Sequence, residues 1–346
     1  MTVVGRRVTQ REVAERAGVA QATVSLVLNG GRDKVAVETA ERIEAAIAEL
    51  GYHPNRFAQA LRTRRTRVIA CVVPDLANPF YPSLVVALQK VARSAGYEVM
   101  TIDTEGKLAN EQHVVASAQQ GRFDGIVGVF FNLGARELAP LGKSGIPVVR
   151  IEVSRKQGGP LPIDNLFIDN EAAARALTNH LLDLGHRDIA MIAAPGGPQR
   201  FRLQGYLDAM ASLGAEPIVR EAAHFTLDAG RDATDRLLDE GPPVTAVIAA
   251  NDLMAIGVMQ SVVAHGLSIP DDISVAGFDD ILPSALVTPG LTTVAQFQDQ
   301  LGARAANLLL TRLAQDDVMA GRAEEMKFEL IVRPSVAPPA RRPATE

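Results

Sequence analysis

The residues of this chain best placed to do chemistry lie within its first thirty positions, and that chemistry is recognition. Val8 to Gly30 holds two short helical patterns on either side of Gly18. In the first, Thr9 and Glu12 stand at capping-box spacing, and Val13, Ala14 and Ala17 form an apolar face. In the second, Val24, Val27 and Leu28 face inward, leaving Gln21, Ala22, Ser25 and Leu26 outside. A glycine-centred turn between two such helices lays the second helix in a DNA major groove, where outward residues meet base edges. An ordinary helical hairpin in a bundle satisfies the same pattern, so the rest of the chain has to decide between the two.

Residue types that could support catalysis or metal binding do not converge elsewhere. The single cysteine, Cys71, excludes a disulfide framework and an all-cysteine metal site, and it sits in an apolar strand pattern where a structural role is expected. His180 and His186 miss the i,i+4 spacing of a helical metal pair. Pro195-Gly196-Gly197-Pro198 reads as a loop with neither a Walker lysine nor a dinucleotide fingerprint. No nucleophile–base pair stands out. The expectation is therefore no metal, no cofactor and no enzyme activity.

Charge separates the chain into two parts. Over its 346 residues the net charge is −5, yet residues 1–67 hold 12 Lys/Arg against 7 Asp/Glu, a net of +5. The remainder holds 23 against 33, a net of −10. A basic head suits contact with phosphate, and an acidic body stays off it. With neither a leader pattern nor an apolar stretch of membrane-spanning length, the protein is expected in the cytoplasm with no membrane partner.

The elements that would position these residues follow from periodicity. Glu38 to Leu50 forms a third amphipathic helix, with Ile43, Ala46, Ile47 and Leu50 on one side and Gly51 ending it. A short segment, Arg56 to Leu61, precedes the basic run Arg62 to Arg67. From Val68 the texture changes to apolar strands alternating with helices. Strands are predicted at Val68–Pro74, Glu98–Ile102, Gly125–Val129 and Val148–Ile151, with helices at Pro82–Ala95 and Glu111–Gln120 between them. A second series begins near Leu166, with strands at Asp188–Ala193, Ala246–Ala249 and Ser274–Gly277. Its helices fall near Asn170–Leu184, Arg202–Leu213, Ala229–Glu240 and Asp252–His265. The fold class is α/β, with two doubly wound parallel-sheet subdomains behind a helix-turn-helix head and a ligand crevice at the strands' carboxyl ends. The tail, 335–346, is rich in Pro, Ala and Arg and reads as disordered, without heptads for a tetramerising coil.

These motifs, in this order, resemble the LacI/GalR (lactose/galactose repressor) family over about residues 8–335. Val13-Ala14-Glu15-Arg16-Ala17-Gly18-Val19, Thr23-Val24-Ser25 with Val27-Leu28-Asn29, and Ala48-Glu49-Leu50-Gly51-Tyr52-His53-Pro54-Asn55 carry the head. Leu184-Gly185-His186-Arg187, Ala250-Asn251-Asp252, Val275-Ala276-Gly277-Phe278-Asp279-Asp280 and Leu291-Thr292-Thr293-Val294 carry the body. The resemblance implies a head over 1–54, a hinge helix and linker over 55–66, and a periplasmic-binding-protein-like body over 67–334. Within the body it implies an N-subdomain of about 67–151 and 295–323, and a C-subdomain of about 152–294 and 326–333.

The resemblance also assigns roles. Ala20, Gln21, Ala22, Ser25 and Leu26 would read bases, Gln21 through its amide on adenine and Leu26 by apolar contact where relatives often carry arginine. Thr9, Thr23, Asn29, Tyr52, Asn55, Ala58 and Gln59 would complete the DNA contacts, and Leu61 would wedge between central base pairs from a hinge helix paired with its dimer mate. Phe80, Tyr81, Asn132, Arg150, Arg202, Asn251, Asp279 and Gln296 would line an effector pocket for a sugar or sugar derivative. Three of these carry alternatives: Arg202 and Asp279 can instead pair with each other, and Arg150 either meets an acidic ligand or points away. The implied protein is a homodimeric, ligand-responsive regulator on a pseudo-palindromic operator of double-stranded DNA. A sugar-binding module without DNA function and an enzyme on the same fold remain open at this stage.

Overall fold

The computed structural model describes residues 8–53, 63, 65–152, 154, 156, 158–315 and 319–340. The chain divides into two compact units, 1–66 and 67–346. In the first, helices α1 (Gln10–Ala17), α2 (Gln21–Leu28) and α3 (Val37–Leu50) enclose a small core of Val13, Ala14, Ala17, Val24, Ile43, Ala46 and Tyr52. The predicted capping box is present: the Glu12 amide donates to Thr9 Oγ1 at 3.3 Å, and the Thr9 amide donates to Glu12 Oε2 at 2.7 Å. Gly18 ends α1 at φ 64°, a left-handed conformation that turns the chain into α2 and that glycine adopts without a Cβ clash.

The second unit contains, among the described residues, two six-stranded sheets. The first has strands β1 (Val68–Val73), β2 (Glu98–Asp103), β3 (Gly125–Gly128), β4 (Val148–Glu152), β5 (Ile163–Phe167) and β11 (Ala323–Glu325), in the order β11-β5-β4-β3-β1-β2. The second has β6 (Ile189–Ala193), β7 (Ile218–Glu221), β8 (Ala246–Ala249), β9 (Ser274–Asp279), β10 (Thr292–Ala295) and β12 (Glu329–Ile331), in the order β12-β10-β9-β8-β6-β7. All neighbours run parallel except β10 and β12. Both sheets switch direction beside their first strand, β1 to β3 and β6 to β8, which puts a crevice at those carboxyl ends. Strands such as Val68–Val73 and Ala246–Ala249 are nearly continuous apolar runs because helices cover both faces.

Helices α4 (Phe80–Ser94), α5 (Leu108–Gln119) and α6 (Ala135–Lys143) connect the first sheet. Helices α7 (Asn170–Asp183), α8 (Gln199–Ser212), α9 (Leu227–Glu240), α10 (Asp252–Ala264) and the short α11 (Leu282–Leu286) connect the second. Helix α12 (Gln298–Leu313) returns to pack on α4. Gly302 makes that approach possible, since a Cβ there would stand 2.2 Å from the Leu84 carbonyl oxygen. The chain thus crosses between the sheets three times, after β5, after β10 and after β11. No helix among the described residues is long and apolar enough to cross a membrane.

Three expectations are corrected. Ile163–Phe167 pairs with β4, so the first subdomain runs on past 152 and the first crossing falls after Phe167. Asp164 stays buried in that strand because Arg312 and Arg322 clamp its carboxylate, with contacts of 2.6 Å to Arg312 Nη2 and 2.9 Å to Arg322 Nη2. The start of the supposed disordered tail is ordered. Ser335 is fully buried, its Oγ donating to the Val275 carbonyl at 2.6 Å, and the Ala337 carbonyl meets His186 Nε2 at 2.9 Å. Finally, α6 and β7 were not foreseen, the first because Pro140 lies inside it and the second because it is an edge strand without an apolar run.

Candidate functional site

The head presents one exposed helical face. Gln21, Ala22 and Leu26 are exposed, Thr23 and Ser25 half-buried, and Val24 fully buried. Ala20 gives α2 no side-chain cap, so the first turn of the helix offers its N–H groups outward. Leu26 rests beside Gly31, where a Cβ would approach its Cδ1 to 2.5 Å, and still keeps 39% of its surface. Asn29 closes the helix by donating from Nδ2 to the Ser25 carbonyl. The Thr9 hydroxyl is engaged by Glu12.

Tyr52 corrects the expected set. It belongs to the head's core at 7% exposure, because Gly51 turns the chain back over α1 and α3, so its ring supports the face and does not form part of it. Asn55, Ala58, Gln59 and Leu61, with the hinge they define, lie outside the described residues.

The body holds a cavity of about 580 Å³ between its two sheets. Its walls come from strand ends and from the loops and helix starts that follow them. Asp75, Asn78, Phe80 and Tyr81 follow β1, Phe131 and Asn132 follow β3, and Glu152 ends β4. From the other sheet come Arg202 on α8, Phe225 after β7, Asn251 after β8, Asp279 at the end of β9 and Gln296 after β10. Seven of the eight expected pocket residues therefore line one cavity.

Its polar centre is a buried network. Arg202 donates from Nε to Asn170 Oδ1 at 2.8 Å, from Nη1 to the Ala250 carbonyl, and from Nη2 to Asp279 Oδ1 at 3.3 Å. Its guanidinium lies 3.8 Å from the Phe278 ring centroid. Gln296 Nε2 donates to Asp279 Oδ1 at 2.5 Å. Arg202 and Asp279 thus both pair with each other and face the cavity, which joins two readings posed as alternatives. Asp279 sits at φ 119°, a strained backbone for a non-glycine residue, and Arg333 Nη2 holds the next residue, Asp280, at 2.7 Å. Burial pushes the Asp279 carboxyl up to about 6, opposed by Arg202. Behind it, burial and then the Asp279 charge push Asp252 up to about 7. Asp252 accepts hydrogen bonds from Thr293 Oγ1 and Ser284 Oγ, both at 2.6 Å. Burial, and then the Asp279 charge, also raise the Tyr81 hydroxyl above its ordinary range.

Asn251 Oδ1 caps α10 by accepting from the Met254 amide at 2.9 Å. Asn132 Nδ2 donates to the Gly106 carbonyl at 2.9 Å. The segment 131–133 is held by Glu111, which is fully buried. Its carboxylate accepts from the amides of Phe131 (2.8 Å), Asn132 (3.1 Å) and Leu133 (2.9 Å) and from Asn132 Nδ2 (3.1 Å).

Arg150 does not line the cavity. Its Nη2 donates to the Leu133 carbonyl at 3.1 Å and its Nη1 lies 2.5 Å from Glu152 Oε1, so the guanidinium clamps the same segment from the other side. The residue that reaches the wall is Glu152. Sequence reasoning missed Glu152, Glu111, Asn170 and Phe225; of these only Glu152, directly after the predicted strand Val148–Ile151, offered a signal. Cys71 is buried, which pushes its thiol up to about 12, far from a nucleophile. Among the described residues no group of three or more His, Cys, Asp or Glu side chains is placed to hold a metal ion.

Comparisons with known proteins match both parts. Residues 9–55 match the description "Bacterial regulatory proteins, lacI family", and residues 178–336 match "Periplasmic binding protein-like domain". The chain is 31% identical to the HTH-type transcriptional regulator DegA of Bacillus subtilis, over 96% of this chain and 99% of that one. Among solved structures it is similar to the lac repressor dimer bound to operator and the anti-inducer ONPF, with TM-score 0.84, 30% identity, and coverage of 96% of this chain and 100% of that one. It is also similar to a complex of the transcriptional regulator CelR with cellobiose, with TM-score 0.68, 32% identity, and coverage of 95% and 100%.

Proposed function

This chain belongs to the LacI family of bacterial regulatory proteins, and from that premise we propose how its parts divide the work of a ligand-responsive, sequence-specific DNA-binding regulator. The family is one of transcriptional regulators, so the body's cavity serves binding and not turnover. A homodimer brings two heads to a pseudo-palindromic operator. In each, α2 enters the major groove, where the Gln21 amide pairs with an adenine edge, Thr23 and Ser25 reach base or phosphate, and Ala22 and Leu26 make apolar contacts, Leu26 with a thymine methyl. The family resemblance gives Leu61, outside the described residues, the role of wedging open the operator's central step from the minor groove.

The cavity takes the effector, a sugar or sugar derivative. Its aromatic rings suit the apolar face of a sugar, while Asp279, Asn251, Arg202 and Gln296 supply the acceptors and donors that hydroxyl groups need. The relative CelR, solved with cellobiose, supports that reading. Effector binding changes the angle between the two subdomains and biases a two-state equilibrium through its differential affinity for the two arrangements. The output is repression in the cytoplasm, since a bulky bent complex at a promoter blocks polymerase. The observation that carries this reading is the presence in one chain of an exposed reading helix and a cavity centred on the buried Arg202–Asp279 pair.

Selection of duplexes from a random pool by the purified protein, with and without a metabolite mixture, tests it. A recovered palindrome with a flexible central step is expected. Absence of enrichment in both conditions refutes the DNA reading.

A further inference from the structure

Pro195-Gly196-Gly197-Pro198, the loop after β6, carries no phosphate-binding motif, yet it forms part of the cavity wall. Gly196 and Gly197 take φ of 91° and 50°, left-handed conformations that glycine adopts freely, and each flanking proline has its own φ fixed by its ring. The loop is thus a stiff turn with bare backbone at its centre. Against that backbone lies the ring of Phe131, from the segment after β3 in the other lobe. A Cβ on Gly197 would stand 2.9 Å from Phe131 Cζ and 3.2 Å from Cε1. The contact depends on the missing side chain, and it joins one lobe to the other.

The ring has little room to retreat. Its opposite edge rests on Gly106, where a Cβ would stand 3.4 Å from Cδ2. Phe131 also packs against the apolar cluster that holds Val129 and Leu301, and Glu111 accepts its amide at 2.8 Å. Polar groups beside the contact are spent within their own lobes. Asn132 Nδ2 donates to the Gly106 carbonyl at 2.9 Å and to Glu111 at 3.1 Å, while Gln199 Oε1 accepts the Ala194 amide at 3.2 Å. Asn132 and Gly196, the chain neighbours of the two contacting residues, are exposed, which puts the contact at the rim, where parting the lobes opens the cavity to solvent.

We propose that Phe131 is a latch: its ring on Gly197 holds the two lobes together at the rim, and breaking that contact opens the cavity. This rests on the reading of the cavity as the effector site and adds how access to it is controlled. An apolar contact forms and breaks without stranding a buried donor or acceptor, which suits a device that opens repeatedly. Glycine at 197 is what permits closure. Carbon atoms settle about 3.5–4.0 Å apart, so a side chain there drives the loop and the ring away from each other.

The test measures the distance between the lobes in the full chain without ligand, by pulsed electron resonance between spin labels. The labels sit on Gln119→Cys and Ala211→Cys, exposed positions on α5 and α8, while the buried Cys71 stays unlabelled. Excess unlabelled chain ensures that a dimer carries one labelled copy. Gly197→Asn, a residue that tolerates the left-handed backbone, should lower the ratio of closed to open molecules at least about tenfold, the scale of an overpacked contact. Gly197→Ala, adding the Cβ alone, should shift it less in the same direction, and Phe131→Ala should broaden the distribution toward longer distances. Combining Gly197→Asn with Phe131→Ala should return the distribution to that of Phe131→Ala, a reversal that mere loss of stability does not produce. Operator binding and thermal unfolding check the fold of each variant. Distances unmoved by Gly197→Asn, or a shift that persists without the Phe131 ring, overturn the latch. Either result leaves the effector reading standing, since that is judged by the metabolite response of the duplex selection.

Discussion

Glu111→Gln separates a positioning role from a ligand contact, and its cost can be worked from the hydrogen bonds. The wild-type carboxylate accepts from four donors: Phe131 N and Asn132 Nδ2 on Oε1, Leu133 N on Oε2, and Asn132 N shared between Oε1 (3.3 Å) and Oε2 (3.1 Å). A glutamine keeps one oxygen and replaces the other with an NH₂. With its oxygen at the Oε2 position the amide strands Phe131 N and Asn132 Nδ2; with its oxygen at Oε1 it strands Leu133 N, because Asn132 N also reaches Oε1 at 3.3 Å. A buried donor left unpaired costs about 1–3 kcal/mol, and since Leu133 is buried the orientation that strands its amide alone sets the cost in that range. The segment can relieve this by lifting away locally, since apart from Glu111 it is held by Arg150 on the Leu133 carbonyl and by the bond from Asn132 Nδ2 to the Gly106 carbonyl. The variant should therefore show fast hydrogen exchange at the amides of 131–133, a lowered urea midpoint for the body and weakened effector binding, while operator affinity without effector is unchanged. Exchange at those three amides as slow as in the wild type, with an unshifted midpoint, would refute the reasoning.

Asp164 gives a pH-dependent expectation. Burial works against its charge, but the hydrogen bonds and charges of Arg312 and Arg322 outweigh burial and hold it at about 2, against an ordinary 3.8. A depressed folded-state value contributes stability that is present above pH 3.8 and lost as pH falls through 2; at pH 7 it is about 2 kcal/mol. The urea midpoints of wild type and Asp164→Asn should differ at pH 7 and converge toward pH 2, and a constant gap across that range would contradict the assignment. Gln21→Ala should cost about 1–3 kcal/mol of operator affinity and relax the preference at a single base pair, read by repeating the duplex selection. Leu61→Ala should cost about 1–3 kcal/mol and reduce the bend of the bound duplex; unchanged affinity and bending would remove the wedge from the mechanism.

What the sequence made legible was whatever depends on neighbours close in the chain. Strands β1, β6 and β8 are apolar runs because both their faces are covered, and α1 announces itself through Thr9 and Glu12. Ile163-Asp164-Asn165-Leu166-Phe167 reads poorly as a buried strand because its aspartate is compensated by an arginine 148 positions later. Strand β11, Ala323-Glu324-Glu325, carries no apolar pattern and exists through its pairing with β5. In the cavity, residues within family motifs were identified by the resemblance. Glu111 was not, because its four partners are the backbone and side chain of a loop some twenty positions away. Arg150 was assigned by position along a strand, which does not report what a long side chain finds across it.

The three crossings between the sheets also set an order of events during synthesis. The head's three helices are complete once residue 53 is made. Neither lobe of the body can close at its own midpoint. The first lacks α12 and β11 until residues 298–325 have emerged, and the second lacks β12 and the Ser335–Ala337 clasp until almost the last residue. A nascent chain therefore carries a finished reading head attached to a body whose apolar helix face, Leu84 and Leu88 on α4, is still uncovered. A chain terminated before about residue 325 stays in that state and is exposed to proteolysis. The interlaced connectivity thus ties completion of both lobes to the last tenth of the chain, long after the head's helices are made.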